Sequence, residues 1–285
     1  MAFRKNMLKI FVINLQQRTD RLDFIRMQLN KLALNFEKIT AIDGRTLQHP
    51  YSIVNYKKFL LNQKRSIALG EIGCAESHRF VWKKMLDEDI KYALILEDDV
   101  KILPDIIEFI KGRSWENYDF INLSETKPYS NIKTILDQLL KISLIDRPYP
   151  FQLGRLLWKT MENSNKYRIY KINFFTTDQA ICECNRAPIL ASGYILSRKA
   201  AKAYLKTSNK LYYPIDWVWH YSGALLKTAF LSKPLTIQTL NDTNITDREN
   251  YNDLTKLQKI QRFLLRTHYS ARKLAVWRMY GLRNF

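Results

Sequence analysis

Apolar and polar positions along this chain fall into short hydrophobic runs separated by stretches with helical spacing. Lys9 to Leu15 is almost continuously apolar and predicts a strand buried on both faces. Gln16 to Thr19 reads as a turn. Thr19 or Asp20 can then cap a helix through Leu32, with Leu22, Ile25, Leu29 and Leu32 on one stripe. Phe36 to Ile42 predicts a second strand that ends in the Asp43-Gly44 turn, and a loop-rich segment leads on to Gly70. Glu71 to Leu86 predicts a helix with Ile72, Ala75, His78, Val81, Trp82 and Met85 on related faces. Tyr92 to Leu96 predicts a central buried strand, Pro104 to Ile110 a helix, and Tyr118 to Leu123 another strand.

Residues 125–185 hold few periodic segments and read as loops that shape a pocket. Order returns with a strand over Ala191 to Ser197, a helix from Arg198 to Leu205 capped by Ser197, and the extended Pro214-Ile215-Asp216-Trp217. Strands alternating with helices imply right-handed βαβ crossovers and a mostly parallel sheet, that is, an α/β fold.

Composition narrows this to an ordered globular chain: 285 residues, 46% hydrophobic, with 8 Gly and 8 Pro. One α/β domain over residues 1–250 with a basic helical extension over 251–285 accounts for the pattern. No apolar run is long enough to cross a bilayer, and the Met1 to Leu15 stretch is broken by Arg4, Lys5, Asn6 and Lys9. A cytoplasmic protein is therefore expected. Cys74, Cys182 and Cys184 lack zinc-site spacing and are expected to be free thiols.

The net charge of +19 calls for a polyanionic partner, either nucleic acid or an anionic membrane. No acidic residue follows Asp253. There Lys256, Lys259, Arg262, Arg266, Arg272, Lys273, Arg278 and Arg283 punctuate Leu257, Ile260, Phe263, Leu264, Leu274, Val276, Trp277, Met279 and Tyr280. That composition suits a basic amphipathic helix at a membrane interface, or a helix packing its apolar stripe on the domain. Zinc-finger spacing, RNP aromatics and heptads joined to a basic region are missing. A nucleic-acid-binding module with an incidental acidic turn remains the non-enzymatic alternative.

The candidate chemistry begins at Glu97-Asp98-Asp99, delivered by the Tyr92 strand. Open α/β sheets bind ligands beyond the carboxyl ends of their strands. Glu97 and Asp99 fall on one face and Asp98 on the other, and two hard oxygen donors suit Mn²⁺ or Mg²⁺ with a phosphate. A solvated acidic turn is the alternative. Asn14 and Arg18 lie just past the first strand and Asp43 past the second, where base, ribose and phosphate contacts belong. Arg18 and Arg21 could equally pair with Asp20 and Asp23. A metal-dependent phosphotransferase or phosphatase using the same carboxylates is a third reading, weakened because neither a Walker-type Gly-rich lysine loop nor an Asp-x-Asp nucleophile at the first strand is present.

Six segments in order match one pattern: Phe11-Val12-Ile13-Asn14-Leu15 with Arg18 and Arg21; Ala41-Ile42-Asp43-Gly44; Gly70-Glu71-Ile72-Gly73-Cys74 with Ser77-His78; Leu96-Glu97-Asp98-Asp99-Val100; Ser192-Gly193-Tyr194-Ile195 with Ser197; and Pro214-Ile215-Asp216. From about residue 8 to 240 the chain resembles glycosyltransferase family 25, the bacterial lipooligosaccharide galactosyltransferases similar to animal collagen galactosyltransferases. The resemblance implies a GT-A type, Rossmann-like fold, a UDP-sugar donor (most often UDP-galactose), a divalent metal and inversion at the anomeric carbon.

It also implies donor contacts for Glu71, Ser77 and His78, although spacing alone would make His78 a satisfied core histidine. Ser192 and Gly193 either let backbone approach the donor sugar or relieve strand crowding. Asp98 is a further donor-site candidate, with Glu97 and Asp99 as metal ligands. Asp216, amid Tyr213, Trp217 and Trp219, is the first choice for the base that deprotonates the acceptor hydroxyl, with a metal or donor-hydroxyl ligand as its rival role. The expected enzyme is a hexosyltransferase acting on a lipid-linked oligosaccharide at the inner face of the bacterial inner membrane. Its basic tail would rest on anionic headgroups.

Overall fold

The computed structural model describes residues 8–129, 167–239, 254–266 and 269–281. The first apolar run is β1 (Lys9–Asn14), followed by α1 (Thr19–Lys31) and β2 (Glu37–Thr40). The loop-rich segment contains α2 (Tyr56–Gln63), and the long helix is α3 (Leu69–Asp87). β3 (Tyr92–Glu97), β4 (Val100–Ile102), α4 (Ile106–Gly112) and β5 (Phe120–Asn122) complete the first half. Then come β6 (Ile169–Phe174), β7 (Ala180–Cys184), β8 (Gly193–Ser197), α5 (Arg198–Thr207), a 3-10 turn (Ile215–Trp217) and α6 (Val218–Tyr221). β9 (Thr228–Leu231), β10 (Thr236–Gln238), α7 (Lys256–Arg266) and α8 (Tyr269–Tyr280) follow.

The main sheet has eight strands in the order β2-β1-β3-β8-β5-β9-β7-β6. β2, β1, β3, β5, β9 and β6 point one way; β8 and β7 run against them. The sheet is thus a mixed α/β sheet in which most strands share one direction, as the alternation predicts. β4 and β10 form a separate antiparallel pair that laces the segment after β3 to the segment after β9.

Side-chain alternation divides the core in two. Phe11, Ile13 and Ile95 face α3, α5 and α6 on one side, while Ile10, Val12 and Leu94 face α1 and α4 on the other. On α3, Ile72, Val81, Trp82 and Met85 are each almost fully buried, worth about 1.5–3 kcal/mol apiece. Trp219 stacks on Phe120 at 4.4 Å, and Tyr213 on Tyr221 at 4.0 Å. Tyr213 and Trp219 are therefore core residues, not the sugar-stacking surfaces their neighbourhood with Asp216 suggests.

The start of α3 is seated by two glycines. A Cβ on Gly44 would stand 1.9 Å from the Leu69 carbonyl oxygen, and one on Gly73 would stand 2.4 Å from that of Ile42. Ser77 Oγ locks the junction, accepting from Ile42 N at 2.8 Å and donating to the Gly73 carbonyl at 2.7 Å.

The C-terminal segment contributes two different helices. α8 packs on α6 and buries Ala275, Val276 and Arg272, with Tyr280 stacked on Tyr170 at 4.1 Å. α7 leans on α2 and leaves apolar side chains exposed. The domain boundary expected at residue 250 falls outside the described residues, as do Arg283 and the expected loops at 130–166; of the rest of that poorly periodic region, 125–129 is a loop as expected, whereas 167–185 carries the β6–β7 pair. Among the described residues no helix is long and apolar enough to cross a membrane.

Candidate active site

Strand register brings the site together. β1 and β3 are parallel with Ile13 opposite Glu97, so Asn14 and Asp98 emerge side by side at the same edge. β3 and β8 are antiparallel with Leu96 opposite Gly193, so the Ser192 carbonyl accepts from Glu97 N at 2.9 Å. The acidic triplet then splits three ways.

Glu97 faces α3, where its Oε1 lies 3.2 Å from His78 Nε2 and 3.7 Å from Cys74 Sγ. Asp98 turns to β1, accepting from Asn14 Nδ2 at 2.7 Å and, more distantly, from Arg21 at 3.4 Å. Asp99 accepts from Gln238 Nε2 at 3.1 Å and lies 3.6 Å from Arg21. Burial raises the Asp98 carboxyl above its ordinary range against the pull of Asn14 and Arg21. Burial and then the Glu97 charge push Asp99 up to about 6.

A cavity of about 350 Å³ opens beside this edge. Glu97, Cys74 and Glu71 line one wall, Ala191 and Gln238 another, and Asp216 and Trp217 a third, with Gln63 and Arg65 at the side. The site thus joins the end of β3, the first turns of α3, the strand approach to β8 and the 3-10 turn carrying Asp216.

Other sequence candidates take different places. Arg18 pairs with Asp20 at 2.8 Å and holds that carboxyl at about 2, while its backbone carbonyl accepts from Asn14. Asp43 caps the 3-10 turn at Gly44 and pairs with Arg45, which holds its carboxyl low. Both stand outside the cavity lining. Glu71 lines it, but its carboxylate takes a bidentate pair from Arg65 at 2.7 Å and caps α3 through Ala68 N at 3.1 Å.

Ser77 is the clamp described above. Gly193 is crowded by Thr236 and Ser124, whose hydroxyls a Cβ would meet at 2.4 and 3.0 Å, so the strand-crowding account applies to it. Arg65, Gln63 and Gln238 escaped the sequence reading because only the folding of α2 and β10 carries them to the β3 edge.

The residues present fit a divalent cation. Asp99 Oδ1, Asn14 Oδ1 and Ser192 Oγ are buried without a hydrogen-bond partner, and Glu97 and Asp99 repel one another. Hard oxygen donors of this kind suit Mn²⁺ or Mg²⁺. A second set, Cys74, His78 and Glu97, offers ligand atoms within 4.8 Å of one another. There the Cys74 thiol is pushed well up, chiefly by burial, and His78 already bridges Tyr194 and Glu97.

Parts of the chain are similar to known proteins. The "Glycosyltransferase 25 family member" of Aedes aegypti is 35% identical over 100 residues, covering 33% of this chain and 16% of that protein. "Procollagen galactosyltransferase 2" of Homo sapiens is 33% identical over 98 residues, again 33% of this chain and 16% of the relative. "Procollagen galactosyltransferase 1-B" of Xenopus laevis is 30% identical over 98 residues, with the same coverage. The match thus spans about a sixth of these relatives' length. The model of "Glycosyltransferase family 25 (LPS biosynthesis protein)" matches residues 7–219, a span that contains the Glu97 edge and the Asp216 turn, and the chain belongs to that family.

Proposed function

We propose that the chain is an inverting, metal-dependent glycosyltransferase that moves a hexose, galactose from UDP-galactose, onto a lipid-linked lipooligosaccharide or lipopolysaccharide acceptor at the cytoplasmic face of the inner membrane. The observation that carries this reading is that Glu97, at the tip of β3, and Asp216, on the 3-10 turn, line one cavity. The galactosyltransferase names of the relatives support the donor, and the family's description supports the acceptor class.

In the reaction the acceptor hydroxyl oxygen bonds to the anomeric carbon, the carbon–oxygen bond to UDP breaks, and UDP leaves with the electron pair. Asp216 takes the hydroxyl proton on the face away from the leaving group and returns it to solvent. Trp217 beside it lines the same cavity, where the sugar would lie. Glu97 and Asp99 would hold the cation, which supplies charge against the departing diphosphate. Asn14 and Arg21 keep Asp98 turned toward β1, so that it supports the edge rather than the cavity. Arg65 neutralises Glu71 and keeps one more negative charge from opposing a diphosphate.

The test is UDP release from a panel of UDP-sugars with Mn²⁺, comparing the parent with Asp99→Ala and Asp216→Asn. Turnover of UDP-galactose, lost about a hundredfold or more in both variants, supports the reading. Equal turnover by parent and variants overturns it.

A further inference from the structure

Helix α7 is amphipathic in the wrong sense for a helix lying on a protein. Its polar residues Gln258, Gln261 and Arg262 are half-buried, and Arg262 Nη2 reaches the Asn62 carbonyl at the end of α2 at 3.5 Å. Leu257, Ile260 and Phe263, spaced three apart on one face, are 64%, 58% and 70% exposed. Lys256 and Lys259 are exposed on the same helix, and its first turn has no acidic residue. A surface helix normally turns its apolar stripe inward. Here the stripe faces out, with ammonium groups beside it.

We propose that this outward face of α7 docks on an anionic lipid bilayer, with Leu257, Ile260 and Phe263 entering the headgroup–acyl boundary and Lys256 and Lys259 meeting the headgroups. The net charge of +19 opposes a second copy of the chain and favours a negative surface. With Leu264, also 58% exposed, the stripe has four side chains, still far smaller than the roughly 800 Å² per partner that a stable dimer buries. Nucleic acid would satisfy the lysines but leave Phe263 and Ile260 in water.

Position adds a further argument. α7 rests on α2, and Gln63 at the end of α2 lines the cavity together with Arg65. A bilayer held on the outward face of α7 is then separated from the cavity-bearing end of α2 by the thickness of one helix, on the side from which a lipid-linked acceptor would arrive. Only this last point rests on the transferase reading; the docking stands on the helix itself.

The experiment is co-sedimentation of the full chain with phosphatidylcholine vesicles, with and without about a third phosphatidylglycerol. The parent, Ile260→Ser/Phe263→Ser and Lys256→Glu/Lys259→Glu are compared, and UDP release is measured in solution on the same preparations. Binding to the anionic vesicles, weakened about tenfold or more by either double substitution while soluble turnover persists, is the expected result.

Equal sedimentation of the serine variant and the parent overturns the proposal. So does a parent that ignores anionic vesicles, or one that self-associates through these residues in their place. A protein that binds vesicles but releases no UDP refutes the transferase reading and leaves the docking intact.

Discussion

His78 bridges Tyr194 and Glu97: its Nδ1 lies 2.8 Å from the tyrosine hydroxyl and its Nε2 lies 3.2 Å from Glu97 Oε1. Trp82 Nε1 donates to the same hydroxyl at 2.9 Å. Because indole nitrogen can only donate, Tyr194 accepts there and gives its own proton to Nδ1, which leaves Nε2–H for Glu97. Three buried groups thereby set the orientation of the carboxylate at the tip of β3. Tyr194→Phe removes the hydroxyl that selects this tautomer, and His78→Ala removes the tether itself. Both should raise the Mn²⁺ concentration needed for half-maximal UDP release by about 10–100-fold. Thermal shift on adding Mn²⁺ should shrink in parallel. An unchanged Mn²⁺ dependence in both variants would show that the histidine only fills space.

Asp99 carries a pH signature. Its carboxyl is raised from an ordinary 3.8 to about 6, chiefly by burial and then by Glu97, against weaker pulls from Gln238 and Arg21. The folded protein therefore holds this proton more tightly than the unfolded chain, and stability falls as pH rises from about 4 to about 6. Asp99→Asn removes that cost, so the metal-free variant should melt higher than the parent at pH about 7.5 and alike at pH about 4. A cation must compete with the same proton, so the Mn²⁺-induced rise in Tm should be large above pH 6 and fade below it. A pH-independent metal effect would place the cation elsewhere.

The glycine pair at the start of α3 predicts a stability difference within one residue type. Alanine at Gly44 or Gly73 puts a methyl 1.9 or 2.4 Å from a backbone oxygen that cannot swing aside. Each should cost about 1–3 kcal/mol or more in urea unfolding. Gly112, at the end of α4, meets nothing closer than 3.8 Å, and Gly112→Ala should be neutral or stabilising by up to about 1 kcal/mol. If all three alanine variants unfold at one midpoint, the close packing of α3 on the Asp43-Gly44 turn is not what seats the helix.

The same contacts show what a reader of the sequence can and cannot see. β1, α1, β3, α3 and α5 are legible because their apolar spacing survives burial unchanged. β7 is not: Cys182, Glu183 and Cys184 are all buried, and Glu183 is covered by the Tyr280 hydroxyl from a helix almost a hundred residues away. α2 hides in a loop-rich stretch because Asn55 caps it with little apolar periodicity to follow. At the site, the triplet Glu97-Asp98-Asp99 stands out by composition, yet simple alternation does not assign its three directions. Those depend on Asn14 in β1, His78 in α3 and Gln238 in β10. Aromatic residues around Asp216 mislead for the same reason, since neighbours in sequence divide between the core and the cavity wall.

Arg272 decides whether α8 belongs to the domain. Its guanidinium is 1% exposed and donates from Nε to the Asn185 carbonyl at 2.8 Å, from Nη1 to the Leu226 carbonyl at 3.1 Å and from Nη2 to Thr228 Oγ1 at 2.8 Å. These neutral acceptors sit beside β7 and on the approach to β9, so the arginine pins the C-terminal helix to the far half of the sheet. Truncation leaves buried oxygens without donors at about 1–3 kcal/mol each. Lysine keeps the charge but cannot reach acceptors in three directions. Arg272→Ala should therefore lower the urea midpoint by an amount worth about 3 kcal/mol, with Arg272→Lys close behind. Limited trypsin digestion should then cut within residues 269–281 before it reaches β1–β3, because α8 loses its anchor while the other half of the sheet keeps its own core. Digestion that proceeds alike in parent and variant would mean that Tyr280, Ala275 and Val276 hold the helix without the arginine.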